Sequence, residues 1–157
     1  MRPDIAPGGT FPDYQLPDHT NTPRKLSELQ GDDPLILTLS RGHYCPKERQ
    51  QHRELVAFYP KIAVAYTRIV TISTDDHHTL QEFRATLGAQ WPFLSDPERK
   101  VQKDLDIQEY TDPEHNPMIP YACAQAGPRD LQHLQRLLVV GASVGHRSLA
   151  RSALRDE

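Results

Sequence analysis

The sequence predicts an α/β fold with a largely parallel sheet, because apolar strands alternate with helical segments along the chain. Residues 35–39 (LILTL) and 69–73 (IVTIS) are nearly continuous apolar runs, the pattern of strands that are covered on both faces. A helical spacing of apolar residues follows each run, and strands that alternate with helices build parallel sheets. Residues 91–94 (WPFL) predict a third, shorter extended segment.

The first half of the chain supplies weaker signals around the first strand. Residues 1–34 are rich in Pro, Gly, Asp and Thr, and predict loops with one short alternating strand at 11–16 and a helical turn at 26–29. Residues 45–66 have helical spacing, with Pro46 suited to the first turn. Pro60 is expected to kink or split this helix, because proline lacks the N–H that an interior turn uses.

Two further helices are expected after the second strand. Residues 74–76 (TDD) can cap a helix at 77–87, which Gly88 would end, so we interpret the two aspartates as a cap rather than a catalytic pair. Residues 95–97 (SDP) predict the start of a helix that extends to about 105. The proline-rich residues 109–120 predict a loop.

The totals favour one domain of ordinary composition. The chain has 157 residues, a formal charge of −3 and two cysteines. This charge does not favour nucleic acid or membrane surfaces as partners, and two cysteines do not make a disulfide scaffold. No apolar run approaches the roughly 20 residues of a membrane span, and the N-terminus lacks the apolar core of a signal peptide. We therefore expect a cytoplasmic protein.

Cys45 lies where the first buried strand gives way to a helix. Free N–H groups and a partial positive charge mark the first turn of a helix, and such a place stabilises a thiolate. Arg41 and Arg49 flank the cysteine in sequence. The thiolate is the reactive form of cysteine, so this position suits a nucleophile. A free cysteine is also commonly a small buried apolar residue, and position alone leaves both interpretations open.

The surrounding residues resemble a known family. The segment RGHYCPKE at 41–48, together with its upstream strand, is similar to the active-site segment of peroxiredoxins of the alkyl hydroperoxide reductase / thiol-specific antioxidant family, within the thioredoxin superfamily. Residues 91–107 (WPFLSDPERKVQKDLDI) and 69–76 (IVTISTDD) resemble two later segments of that family, in the same order and spacing. The resemblance covers about residues 10–120 and implies a thioredoxin-like fold with a central mixed sheet flanked by helices.

The resemblance also implies a set of roles around the cysteine. Cys45 would be the peroxidatic nucleophile, backbone N–H groups at 42–45 would hold its thiolate and the peroxide, and Pro120 would be the thioredoxin-fold cis-proline. Thr38 and Gly42 stand where the family motif P-x-x-x-T-x-x-C has its Pro and Thr, so the hydroxyl of that Thr is missing. The residues predicted to support Cys45 are Thr38, Arg41, Gly42, His43, Tyr44, Pro46, Glu48 and Pro120.

Eight histidines raise the question of a metal site. His43 is the best candidate ligand, but we interpret it as a solvated loop histidine, because the Cys/His spacing of a zinc site is absent. No phosphate-binding Gly loop is present either. We therefore predict neither a metal nor a cofactor.

Residues 121–157 do not continue the family pattern, in which a strand near PGLVI, a stretch like YNGYWxWGRP and a closing helix follow. Back-translation of residues 126–143 with free codon choice, read one nucleotide later, admits PGLVIY, SIYNGYW and xWGRP in that order. We therefore predict a one-nucleotide frameshift near Pro120 or Tyr121, a thioredoxin-like domain of peroxiredoxin type at 1–120 and an atypical, out-of-frame tail at 121–157. We expect the fold to be incomplete at this end, with loose packing or an adventitious helix. The alternative is an authentic divergent C-terminus.

Two hypotheses of function follow from these residues. The first is a thiol peroxidase with an antioxidant role, in which Cys45 alone reduces a peroxide and an external thiol of thioredoxin or glutathione type regenerates it. Cys123 lies in the atypical tail and is not assigned as a resolving cysteine, although a Cys45–Cys123 disulfide is the competing idea. The resemblance also admits a homodimer. The second hypothesis is a redox-inactive thioredoxin-like binding module or a non-functional, truncated family member.

Overall fold

The structure, a computed structural model, describes residues 2–5, 10–107, 121–125 and 140–141, with side chains in the first two ranges only. Its centre is a sheet of five strands, β3 (Leu35–Ser40), β4 (Arg68–Ser73), β5 (Phe93–Ser95), β6 (Tyr121–Gln125) and β7 (Val140–Gly141). They lie in the order β5-β4-β3-β6-β7, with β3, β4 and β5 parallel and β6 and β7 antiparallel to their neighbours. The predicted mixed sheet is confirmed.

A small antiparallel hairpin precedes this sheet. It consists of β1 (Gln15–Pro17) and β2 (Pro23–Lys25), and the helical turn α1 (Leu26–Gln30) follows it directly. The alternating strand predicted at 11–16 is therefore shorter and lies later in the chain. The predicted helical turn at 26–29 is confirmed.

Three helices follow the parallel strands. Helix α2 (Pro46–Val64) begins at Pro46 as predicted and continues through Pro60, so the expected split of this helix is wrong. Helix α3 (His77–Leu87) has the predicted bounds, with Asp76 as its N-cap and Gly88 left-handed at φ 68° as its C-cap.

Helix α4 (Lys100–Asp104) begins three residues later than predicted. Arg99 adopts a left-handed conformation with φ 58°, which no helical turn can contain. The Asp96 carboxylate accepts hydrogen bonds from the backbone N–H groups of Lys100 and Val101, both at 2.8 Å. The aspartate of the SDP segment thus caps the helix, while its proline precedes the first turn.

Apolar side chains cover the strands β3 and β4 on both faces. Alternate residues of these strands enter two separate clusters, as the two-residue period of a strand requires. The first cluster includes Leu35, Leu37, Leu39, Val70 and Ile72, and the second includes Ile69, Leu80, Phe83, Trp91 and Phe93. The continuous apolar runs therefore have the two-sided burial that the sequence predicted.

Strand β6 changes the prediction for the tail. Residues 121–125 pair with β3 as a central antiparallel strand, so an adventitious helix is wrong for this segment. Strand β7 extends the sheet by two residues, and the other residues after 107 lie outside the described part of the chain. A central strand at this position counts against the frameshift, which stays a hypothesis that resequencing of the gene would settle. In the described residues, the structure contains no helix long and apolar enough to cross a membrane.

Candidate active site

Cys45 is the residue that precedes the first turn of α2. Its carbonyl oxygen accepts the N–H of Arg49 at 3.0 Å, while its own N–H points back to the carbonyl oxygen of Gly42 at 3.3 Å. The thiol is a free cysteine of intermediate burial and does not act as a side-chain cap. The thiol therefore lies at the N-terminal end of a 19-residue helix, where free backbone N–H groups carry a partial positive charge.

Glu48 anchors the turn of residues 41–45 between β3 and α2, which we call the Cys45 turn. Its carboxylate is only 3 % exposed, one helical turn after Cys45. It accepts a hydrogen bond from the Ser40 hydroxyl and another from the backbone N–H of Arg41 at 2.7 Å, and it lies 3.4 Å from the Arg41 guanidinium Nε. Burial raises the pKa of Glu48, and these donors and the Arg41 charge oppose that rise.

Asp75 holds the same turn from the neighbouring strand. One carboxylate oxygen accepts the backbone N–H of His43 at 2.7 Å and the Ser73 hydroxyl at 2.8 Å. The other oxygen lies 2.9 Å from Nδ1 of the His43 ring. The Thr74 hydroxyl adds a bond of 2.7 Å to the carbonyl oxygen of Arg41. The residues that lead to Cys45 are therefore tied to the ends of two parallel strands.

Gly42 is required by its surroundings. Its φ of 135° is unfavourable for any residue with a side chain. A Cβ atom built at this position would lie 2.8 Å from Cε1 of Tyr44 and 3.0 Å from Oδ1 of Asp75. The hydroxyl that the sequence comparison found missing at residue 42 therefore has no room in this arrangement of the turn.

The turn uses most of its own backbone donors. We expected the N–H groups of residues 42–45 to hold a thiolate and a peroxide. The N–H of Gly42 instead donates to the Ser40 hydroxyl at 3.3 Å, that of His43 to Asp75, and that of Cys45 to the Gly42 carbonyl. These three donors stabilise the turn itself.

Thr38 lies within the sheet rather than at the thiol. It is 4 % exposed, and its hydroxyl is 2.8 Å from the hydroxyl of Thr71, the residue opposite it in β4. Thr71 also accepts the Trp91 indole N–H at 3.0 Å and lies 3.4 Å from Nε2 of His52. His52 also connects this group to the candidate site, because its Nδ1 lies 2.8 Å from the backbone carbonyl oxygen of Glu48.

The remaining predicted residues divide into two groups. Tyr44 is 48 % exposed beside the thiol, and Pro46 is exposed at the first position of α2. Pro120 lies outside the described residues. The structure thus brings together Cys45 with its neighbours from 41 to 48, whereas Thr38 supports the sheet beneath them.

No group of three potential metal ligands occurs in the part of the chain whose side chains are described. His43 is bound to Asp75, so it is not simply the solvated loop histidine that we expected. A cleft of about 470 Å³ lies near the far end of α2 and is lined by residues that include Arg24, Tyr59, Tyr66, Arg68 and Trp91. Since α2 has 19 residues, about 28 Å of helix, this cleft is remote from Cys45.

The sequence analysis missed Asp75 as a residue of this site. It grouped Asp75 with Asp76 as a helix cap, but only Asp76 caps α3, by accepting the N–H groups of His78 and Thr79 at 2.9 and 3.1 Å. The sequence signal that could have identified Asp75 is its position two residues after β4, a strand predicted to be parallel to β3. Carboxyl ends of parallel strands meet at one edge of a sheet, so residues that follow them become neighbours.

Fold and site together define a peroxiredoxin-like protein of the thioredoxin superfamily. The model of the AhpC/TSA family matches residues 7–122, and the chain belongs to this family. Putative peroxiredoxins from two strains of Mycobacterium tuberculosis are each 31 % identical to it over 106 residues. That match covers 64 % of this chain and 66 % of each relative, slightly less than two thirds of their length.

Solved structures show the same fold. Peroxidoxin BcpB of M. tuberculosis has a TM-score of 0.73 and 23 % identity, with 87 % of this chain and 85 % of that chain covered. A mutant of peroxiredoxin Q from Xanthomonas campestris has a TM-score of 0.63 and 16 % identity, covering 72 % and 73 %. A yeast mitochondrial 1-Cys peroxiredoxin has a TM-score of 0.64 and 11 % identity, covering 89 % and 70 %.

Proposed function

We propose that this chain is a thiol peroxidase in which Cys45 reduces a peroxide as the single protein nucleophile. The observation that carries the proposal is the place of this thiol: partly exposed, free, and directly before the first turn of α2. The Cys45 thiolate attacks one oxygen of the peroxide, the O–O bond breaks, and the sulfur becomes a sulfenic acid. The second oxygen leaves with a proton as an alcohol or water.

The backbone register disfavours Cys123 as the internal partner of this sulfenic acid. Cys123 lies opposite Leu37 in the pairing of β6 with β3, three residues before Ser40, where β3 ends. Three strand residues correspond to about 10 Å, and the chain continues through a turn before it reaches Cys45. A disulfide requires Cα atoms within about 7 Å of each other.

An external thiol therefore completes the proposed cycle. One molecule condenses with the Cys45 sulfenic acid and releases water, and a second thiol then reduces the mixed disulfide. We propose a thioredoxin-like or glutathione-like reductant and a cytoplasmic location, where such thiols are kept reduced. The fold is shared with a yeast 1-Cys peroxiredoxin whose thiol is resolved via glutathione/thioredoxin systems.

The test compares peroxide consumption by the wild-type chain, Cys45→Ser and the matched control Cys123→Ser. Hydrogen peroxide and tert-butyl hydroperoxide serve as substrates, with glutathione, thioredoxin or dithiothreitol as reductant. We expect Cys45→Ser to abolish consumption, and Cys123→Ser to retain it with sulfenic acid trapped at Cys45 by dimedone. Loss of turnover in Cys123→Ser would overturn the single-cysteine mechanism. No Cys45-dependent consumption with any reductant would leave a redox-inactive module.

A further inference from the structure

We propose that Asp75 is a positioning residue that holds His43 ready to exchange a proton at the Cys45 thiol. This inference rests on the proposed function and adds to it a proton carrier and the group that orients it. Asp75 binds His43 twice, at its backbone N–H (2.7 Å) and at ring Nδ1 (2.9 Å). Two bonds from one carboxylate fix both the place of the residue and the angle of its ring.

The carboxylate also selects one form of the imidazole. An ionised carboxylate only accepts hydrogen bonds, so the ring nitrogen that faces it must carry the proton. Nδ1 of His43 is therefore the donor, and Nε2 of the neutral ring carries the free lone pair. The described residues offer no hydrogen bond to Nε2, and the side chain of His43 is 45 % exposed. Nε2 is thus the atom that can accept a proton.

Asp75 is itself held by its neighbours. Its carboxylate accepts the Ser73 hydroxyl at 2.8 Å, and its carbonyl oxygen accepts the Ser95 hydroxyl at 2.7 Å. Its side chain is only 10 % exposed. Those two serines are the last residues of β4 and β5, so the sheet fixes Asp75 and Asp75 fixes His43. A group that orients a proton carrier needs this kind of rigid support.

Asp75 is the carboxylate that binds the His43 ring. Tyr44 and Phe83 approach the ring edge-on, with centroids 6.2 and 6.5 Å away. Arg49 of α2 lies 5.9 Å from the Phe83 centroid, and His52 lies 5.7 Å from that centroid. Burial lowers the pKa of His52, which favours its neutral form. Phe83 thus contacts both the His43 ring and the Arg49 guanidinium.

His43 and Cys45 belong to the same turn. One residue separates His43 from Cys45, and the Cys45 N–H folds back to Gly42 at 3.3 Å. In the proposed step Nε2 accepts the thiol proton, the thiolate attacks the peroxide oxygen, and the O–O bond breaks. The leaving alkoxide then takes the proton from Nε2. The sum is one thiol and one hydroperoxide converted to one sulfenic acid and one alcohol.

The alternative is that Asp75 and His43 only stabilise the turn, and His43→Gln separates the two roles. A glutamine amide can still donate to Asp75, and the backbone bond of residue 43 remains, but glutamine does not titrate. All variants are made in a Cys123→Ser background, so that alkylation by iodoacetamide reports Cys45 alone. The matched controls are His78→Gln, an exposed histidine of α3, and Asp33→Asn, which pairs with Arg68 at 2.9 Å at the other edge of the sheet.

Proton transfer by a side chain contributes on the order of 100-fold or more to a rate. We expect His43→Gln to lower the alkylation rate near pH 6.5 by at least about tenfold, because glutamine cannot take up the thiol proton and stabilise the reactive thiolate as an imidazolium does. Near pH 9.5, above the pKa of about 8.5 of an ordinary free thiol, the two rates should converge. Asp75→Asn should act in the same direction, since its amide can donate to Nδ1 and select the wrong tautomer. Both controls should match the parent protein at each pH.

Equal alkylation rates for the parent and His43→Gln at pH 6.5, with both proteins folded, would overturn the proposal. A reduction of the same size at both pH values would assign the pair a structural role and would overturn it as well. The outcome is distinct from failure of the proposed function, because alkylation requires no peroxide. A protein that shows the pH-dependent effect but consumes no peroxide would retain the His43–Asp75 pair and lose the peroxidase assignment.

Discussion

Two regions of the molecule are stabilised in different ways. Burial stabilises the aromatic side chains that pack between α2, α3 and the sheet, whereas two carboxylates hold the Cys45 turn at the end of β3. Trp91 and Phe93 are 2 % and 0 % exposed, with ring centroids 5.9 Å apart. In the turn, Glu48 and Asp75 bind the backbone of residues 41 and 43. Apolar burial has no direction, while hydrogen bonds fix distances and angles.

The two regions therefore contribute different properties, stability in one case and the position of reactive groups in the other. The aromatic cluster supplies free energy of folding but does not need to hold any atom in one exact place. The turn contributes less buried surface, yet it sets the position of the Cys45 thiol and the His43 ring. Changes in the cluster should therefore alter stability, whereas changes in the turn should alter the reactivity of Cys45 as well.

The largest expected effect on stability is that of Phe93→Ala. This ring packs against His52, Phe83 and Trp91 at centroid distances of 5.4, 6.1 and 5.9 Å. We expect the free energy of unfolding in urea to fall by about 3–5 kcal/mol, the range for removal of a buried phenylalanine side chain. Alkylation of Cys45 in the folded variant should keep the rate of the parent protein.

Phe58→Ala is the control for this substitution. Phe58 is 52 % exposed on α2 and contacts the Lys61 ammonium at 5.5 Å from the ring centroid. Replacement of such a surface side chain should change stability by no more than about 0.5 kcal/mol. A Phe93→Ala variant that alters Cys45 reactivity as strongly as stability would break the distinction between the two regions.

Glu48→Ala should have the second-largest effect and should extend to the thiol. It leaves the Ser40 hydroxyl and the Arg41 N–H without their acceptor, and the Arg41 guanidinium without its carboxylate. Loss of one partner from such a buried group costs about 2–4 kcal/mol, and we expect a decrease of that size on urea unfolding. Because these bonds hold the residues before Cys45, the alkylation rate should change in the same variant.

Two comparisons sharpen this expectation. Glu48→Gln keeps an oxygen acceptor and removes a charge that burial disfavours, so it should be less destabilising than Glu48→Ala at pH 7. Glu98→Ala removes a carboxylate that is 72 % exposed and pairs with Lys100 at 3.0 Å, and it should cost less than about 1 kcal/mol. Equal unfolding free energies for Glu48→Ala and Glu98→Ala would show that the buried carboxylate does not anchor the turn.

The same division explains what the sequence could predict. Continuous apolar runs predicted β3 and β4, and capping residues predicted α3, almost to the residue, because these signals are local in the sequence. Local chemistry also placed Cys45 before α2, since a strand, a short turn and a proline follow one another there.

Features that depend on pairing across the sheet could not be predicted in this way. The contact between Asp75 and His43 joins residues 32 positions apart, and it requires the register that places Ser40 opposite Ser73. Helix α4 begins late because of the left-handed Arg99, a conformation that no residue pattern announces. Pro60 fits inside α2, although proline disfavours helix interiors, so tertiary context overrode a local preference.

His52 connects the two regions and should produce the smallest effect, one that depends on pH. Its ring lies among the aromatic side chains, and its Nδ1 reaches the carbonyl oxygen of Glu48 at 2.8 Å. Burial lowers its pKa below the 6.5 of an unperturbed histidine, so the unfolded chain binds a proton more readily than the folded chain. The stability that this group contributes is complete above pH 6.5 and is lost as the pH falls through the lowered pKa of the folded protein.

His52→Phe keeps a ring at this position and removes the titration. Relative to the variant, the wild-type protein should lose stability on acidification below pH 6.5, with a slope of at most about 1.4 kcal/mol per pH unit for one proton. Urea unfolding of both proteins at several pH values measures the difference, and the exposed His78→Gln should retain the wild-type slope. Burial of Glu48 acts in the opposite direction, because its raised pKa removes stability as the pH increases. Comparison of the two proteins cancels that contribution, so parallel curves would show that His52 is as readily protonated in the folded chain as in the unfolded one.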